Sequence, residues 1–144
     1  MEETTVSVET IANDFATSMK GKLDQGLIDS SVASLKSITQ SYPATGSVAS
    51  LIFYLKFQVS VKGGKTFDGN AGGISSPGGG ALFGDVYTDD INRLYNNTVS
   101  FEFQGTPVYL SILFFDKNSN LLGHFQAGAV STVLGVGGGS GKWS

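Results

Sequence analysis

The stretch from Gly123 to Gly139 constrains the fold of this chain more than any other. Its middle is β-branched and apolar, with Val130, Val133, Leu134 and Val136, and glycine recurs from one end to the other. Glycine inside a strand loses conformational entropy on folding and offers no side chain to pack, so repeated glycine marks bends, bulges or close approach of backbones. A small sheet that curls and closes on itself needs all three. The pattern therefore predicts a compact β-barrel, and 144 residues are enough for one domain with a proper core.

Ten Phe and five Tyr accompany the twenty glycines, which argues against a disordered chain. Charged residues are only 15% of the sequence and the net charge is −3. Nine Lys and Arg scattered along the chain make no basic patch, so nucleic acid is not an expected partner. The absence of cysteine removes disulfides, thiolate catalysis, zinc ribbons and iron–sulfur clusters. No window reaches the length of a membrane-spanning helix. The opening Met1-Glu2-Glu3-Thr4-Thr5 is acidic where a secretory signal is basic, which predicts either a cytosolic protein or a form whose signal has been removed.

Two apolar stripes at helical spacing occupy the first forty residues: Val8, Ile11, Phe15 and Met19, then Ile28, Val32, Leu35 and Ile38. They predict two short helices parted by Gly21 and Gly26, the second capped by Ser30 or Ser31; isolated helices this short need a partner to form. The alternative is a flexible leader. After Ser41-Tyr42-Pro43 the period becomes two. The odd positions from Ala49 to Val61 are all apolar, which predicts one long half-buried strand over Val48–Val61. Lys62-Gly63-Gly64-Lys65 turns into a short strand at Thr66-Phe67-Asp68, and Gly69–Gly80 reads as a loop. A strand at Ala81–Tyr87 leads to a helical turn capped by Thr88, with Asp89 and Asp90 in its first turn. Val99–Gln104 alternates, and Val108–Phe115 is apolar on both faces and so the most buried strand. Asp116–Asn120 is a hairpin loop and Leu121–Ala127 pairs back. Ala129–Val136 reads as a strand, followed by the glycine run and a last short strand to Trp143, whose ring can plug one end. About eight short strands predict a barrel or a sandwich.

No motif with chemistry survives inspection. His124 is the only histidine, and its neighbours Asp116 and Ser131 come without a nucleophile-elbow motif, so it reads as a structural or surface residue. Asp85, Asp89, Asp90, Glu102 and Asp116 are the acids available for paired-carboxylate chemistry, and no pair stands out. Asp116–Asn120 begins like a calcium loop, but Leu121 and Ala127 stand where glycine and a bidentate glutamate belong. Gly137–Lys142 fails the phosphate-loop spacing at Val136 and Trp143, and Gly135 and Gly137 fail the dinucleotide pattern at Ser140. Asn96-Asn97-Thr98 fits a glycosylation acceptor, relevant only in a glycosylating host. No catalytic, cofactor-binding or metal-ligating residue is assigned.

Several segments together resemble the virulence-associated protein (Vap) family of an intracellular actinobacterial pathogen. They are Phe67–Ile74, Pro77–Gly84, Arg93-Leu94-Tyr95, Thr98–Phe101, Phe114-Phe115-Asp116, Leu121–Ser131 and Gly135–Gly141, spread over about the last hundred residues. One departure is Phe83, where the family carries tryptophan. The resemblance begins at Tyr42 and leaves residues 1–41 as a variable leader ahead of a barrel domain over 42–144. It implies a compact, flattened, Greek-key-like eight-stranded antiparallel barrel with one short helix. It also implies a secreted or cell-surface protein of the host phagosome, supporting survival inside macrophages, with no established enzymatic activity or cofactor. The expected partner is host endolysosomal membrane lipid or a host protein, contacted by a monomer. Near the pI of about 4.9 the carboxylates begin to protonate and His124 is expected to charge, weakening repulsion from anionic lipid. The alternative is a lipocalin-like carrier holding one small lipophilic ligand in the barrel.

Overall fold

The computed structural model describes residues 7–72, 77–130 and 133–144. Eight strands follow the chain: β1 (Ser41–Ser50), β2 (Tyr54–Val61), β3 (Thr66–Gly72), β4 (Gly78–Tyr87), β5 (Ser100–Gly105), β6 (Tyr109–Phe115), β7 (Leu121–Gly128) and β8 (Gly135–Trp143). They close into a barrel in the order β1-β2-β3-β8-β5-β6-β7-β4, every pair antiparallel. Taken round the barrel this is 4-1-2-3 followed by 8-5-6-7, two Greek keys in succession. Helices α1 (Val8–Met19) and α2 (Gln25–Ser37) precede the barrel, and α3 (Ile91–Asn97) joins its two halves.

Alternation places Phe57, Phe67, Phe101, Phe103, Phe114 and Phe125 in one buried cluster inside the barrel. Their rings touch: Phe67 lies 4.9 Å from Phe114 and 5.4 Å from Phe101 between centroids, and Phe57 lies 5.1 Å from Phe103. Trp143 joins the same cluster 5.5 Å from Phe67 and 5.2 Å from Tyr95 of α3, and so closes that end. The aromatic side chains themselves fill the space in which a carrier would hold a ligand. Outward positions on β2 (Lys56, Gln58, Ser60) are polar, the reverse of the apolar-outside arrangement of a membrane-spanning barrel.

A second cluster lies outside the barrel. Phe15, Met19, Ile28 and Leu35 of the helices pack on Leu113, Phe115 and Leu121, which face outward from β6 and β7. Ser7 caps α1 and Asp24 caps α2 through its side chain to the Gly26 amide, so α2 starts nearly two turns earlier than a cap at Ser30 or Ser31 predicts.

Several strand boundaries differ from the sequence expectation. Val48–Val61 is not one strand, because the chain reverses at Leu51-Ile52-Phe53 with Ile52 at φ 76°. Fourteen residues would extend roughly 45 Å, longer than a small barrel holds; the alternation runs on because the apolar tip is exposed, not buried. Gly69–Gly72 and Gly78–Gly80 belong to β3 and β4 and not to a loop, while the intervening Gly73 and Ile74 lie outside the described residues. The described part of Ala129–Val136 is irregular up to Leu134, and the glycine run is itself strand β8. The helical turn is capped by Asp90, whose carboxylate accepts the Arg93 amide. Asp89 instead accepts the amides of Thr39 and Gln40, and Thr88 Oγ1 donates to the Leu122 carbonyl.

Candidate functional site

All neighbouring strands run antiparallel, so the connections β1–β2, β3–β4, β5–β6 and β7–β8 must lie at one end of the barrel. The sequence carries no Asp, Glu, Lys or Arg in residues 41–55, 69–84, 103–115 or 125–141, the segments that build this end. Its described tips are apolar and exposed: Leu51, Ile52, Phe53 and Tyr54 on the first hairpin, Val108 on the third connection, Leu134 and Val136 at the fourth. Phe53 is 72% exposed. The hairpin holds this shape because Leu51 and Tyr54 pair through their backbones and Ile52 adopts the left-handed conformation, which directs the side chains away from the core. The opposite end gathers Lys62, Lys65, Asp89, Asp90, Arg93, Asp116, Lys117 and Lys142, with α3 and Trp143 closing it. Exposed contiguous apolar side chains on a soluble fold mark a contact surface. Four charge-free windows in the sequence were the available signal for this end; only the strand order brings them together.

The residues with catalytic potential are dispersed. Asp116 accepts hydrogen bonds from the backbone of Asn118 and Asn120 and the Asn120 side chain, and lies 3.8 Å from Arg93. Burial opposes its ionisation, but those hydrogen bonds and Arg93 outweigh it and hold the carboxyl below its usual range. It closes a hairpin, with Leu121 and not a glycine following. His124 faces outward from β7, stacks on Tyr87 at 4.9 Å and lies beside Gln126, not Asp116; Ser131 lies outside the described residues. Burial pushes His124 down to about 4, so the expectation that it charges near pH 5 in the folded protein is corrected. Among the described residues no three His, Asp or Glu converge on a metal-sized space.

Glu102 lines a groove of about 160 Å³ with Met19, Lys22, Leu23, Val136 and Gly137, between the α1–α2 turn and the barrel. Burial raises its carboxyl to about 7, against the opposing influence of Lys22. A raised folded-state value contributes stability that is fully present below the unfolded value of 4.5 and is lost as pH rises through about 7. Glu102→Gln is therefore expected to raise the melting temperature at pH 8 and to have a much smaller effect at pH 5, as thermal unfolding at the two values will show. An equal change at both would remove burial of the charge as the cause.

A closed double Greek-key barrel with one helix-plugged, charged end and one end of exposed apolar tips defines a small antiparallel β-barrel protein. The sequence profile described as Rhodococcus equi virulence-associated protein matches residues 2–144, and the chain belongs to that family. The match extends across the N-terminal helices, which the resemblance read from sequence did not include. Among solved structures it is similar to virulence-associated protein VapB from the intracellular pathogen Rhodococcus equi, with TM-score 0.71, 50% identity, and 73% of this chain and 96% of that chain covered. It is also similar to VapD of the same organism, with TM-score 0.69, 40% identity, and 73% and 97% covered. No curated protein sequence is significantly similar to it.

Proposed function

We propose that this protein is a secreted, non-enzymatic virulence effector that acts at host endolysosomal membrane, inserting the uncharged end of its barrel into the lipid interface. The observation that carries this reading is the cluster of exposed Leu51, Ile52, Phe53, Tyr54, Val108 and Leu134 on connecting segments that carry no Asp, Glu, Lys or Arg, with Lys22 and Glu102 at the rim beside Val136. Apolar and aromatic tips gain free energy on leaving water for the headgroup–acyl boundary, and no ionised group has to be desolvated with them. Membership of a virulence-associated family supports the biological setting. The close-packed aromatic interior favours surface contact over the carrier alternative.

Flotation of the full chain with phosphatidylcholine vesicles, with and without added phosphatidylserine, tests this. Binding is expected in both, since the inserted end is neutral. Phe53→Ser is expected to weaken it about tenfold, following the ~1.5–3 kcal/mol of burying one large apolar side chain. Binding that needs anionic lipid, or is indifferent to Phe53→Ser, overturns insertion by this end. No vesicle binding at all redirects the search to a host protein partner.

A further inference from the structure

The two apolar clusters are unequal. The barrel core is closed on itself, whereas among the described residues the apolar cluster that seats the α1–α2 hairpin takes Leu113, Phe115 and Leu121 from the barrel. One polar tie joins them, the Tyr109 hydroxyl donating to Asp14 Oδ2 at 2.6 Å. On the same outward face of β6 and β7 lie Ser111, Gln126 and His124, and the helix packed on β7 from outside is α2. His124 is only 1% exposed there.

The polar contacts around that ring are incomplete. Gln126 Nε2 donates to Ser111 Oγ at 2.9 Å and lies 2.8 Å from His124 Nδ1; with the amide in this orientation Nδ1 accepts and the ring proton sits on Nε2. Among the described residues His124 Nε2, like Gln126 Oε1 beside it, is buried with no hydrogen-bond partner. Uptake of a second proton at Nδ1 sets a donor against a donor and buries a cation; turning the Gln126 amide relieves the first problem and not the second. Among the described residues no carboxylate is paired with the ring. Tyr87 covers the ring from β4, and Asp85 on that strand pairs in register with Gln126. Asp24, Asp29 and Lys36 of α2 and Glu9 of α1 are exposed to solvent, and Asp14 is held by Tyr109. Burial alone sets the ring's acidity.

We propose that the α1–α2 hairpin is an acid-released arm: proton uptake by His124 expels it from the barrel wall, and the apolar stripe it frees is a second lipid-contacting surface. The lipid half rests on the membrane reading above; the release does not. The freed helices are amphipathic, with Ile11, Phe15, Met19, Ile28 and Leu35 on their buried sides, the form that lies in a membrane interface. Met19 and Leu23 border Val136 in the groove that also holds Lys22 and Glu102, so the two apolar surfaces meet across that charged rim.

The sign follows from linkage. A histidine whose folded value is depressed contributes stability above its free value of 6.5, lost as pH falls toward about 4. From pH 7.5 to 5 this favours the released state on the order of thirty-fold. Glu102, under the α1–α2 turn, works the other way as it protonates, but it is more exposed and more screened.

Hydrogen exchange on the full chain, corrected for intrinsic rates, tests the release. In a Glu102→Gln parent chain, which lacks the opposing group, amides of residues 8–37 are expected to lose protection about thirty-fold between pH 7.5 and 5 while the strands keep theirs. His124→Gln is expected to abolish that acid response. Tyr109→Phe, which removes the tie but not the titrating ring, is expected to lower protection at both pH values and preserve the response. Unchanged protection at pH 5 in the parent chain, or an equal response in His124→Gln, overturns the release. Adding phosphatidylcholine vesicles at pH 5 is expected to restore protection to residues 8–37; release without that restoration overturns the lipid half alone.

Discussion

Phe67→Ala is expected to cost about 4 kcal/mol, the range for truncating a fully buried phenylalanine. The side chain is wholly buried and touches Phe101, Phe114 and Trp143 at once. It thus couples β3 to β5, β6 and β8 across the barrel. Alanine removes the ring's transfer free energy and leaves a cavity that the surrounding rings, held by a closed sheet, cannot collapse to fill. Urea unfolding followed by fluorescence of the single tryptophan, Trp143, measures the loss. Phe53→Ala provides the contrast: on an exposed tip it is expected to change stability by less than about 0.5 kcal/mol. A cost below about 1 kcal/mol at Phe67 is incompatible with a packed interior and reopens the carrier alternative.

Gly139→Ala is expected to be nearly as severe, about 3 kcal/mol, for the opposite reason. A Cβ at this position falls on the carbonyl oxygen of Asn70 and within 2.8 Å of the Ala71 Cα. These are backbone atoms of β3, hydrogen-bonded in the sheet, and cannot rotate aside as a side chain would. Strands β3 and β8 must part, and the barrel opens at the seam where its two Greek keys meet. Gly128→Ala, where an added Cβ meets nothing within 4 Å, is expected to be neutral or slightly stabilising through the unfolded chain. Equal melting temperatures for the two variants would remove close backbone approach as the reason for glycine in β8.

Both acid-sensitive groups that emerge from the structure lie outside the barrel and beneath the helices. Glu102 and His124 respond to acid in opposite directions, so stability of the whole fold and docking of the hairpin need not follow one pH curve. A global melting temperature averages over them; residue-level exchange separates them.

Much of the fold was legible from local pattern. Period-two alternation depends only on which faces meet water, so the strands around Phe57, Phe101 and Ile112 and the helical stripes of Phe15 and Leu35 could be read directly. The glycine-rich stretch announced close backbone contact, and Gly139 against Asn70 is that contact. Local pattern failed where it is blind to distance. Leu51 and Phe53 continue the apolar alternation although the chain has turned, because exposure at a tip and burial in a core look alike in sequence. The glycine run Gly137–Gly139 reads as a break between two strands because it lacks side chains, yet pairing with β5 along its length and with β3 at Gly139 makes it part of one strand. His124 is the sharpest case. Composition supplied one histidine with an ordinary acidity. Only tertiary packing on the outer face of β7, where Tyr87 stacks on the ring and α2 lies against the strand, removed its water and made it the group on which the proposed acid release depends. The sequence by itself determined the elements, the charge-free windows and the family. The strand order and the docking of the hairpin, which rest on contacts between distant residues, decided which windows form one surface and which side chains respond to pH.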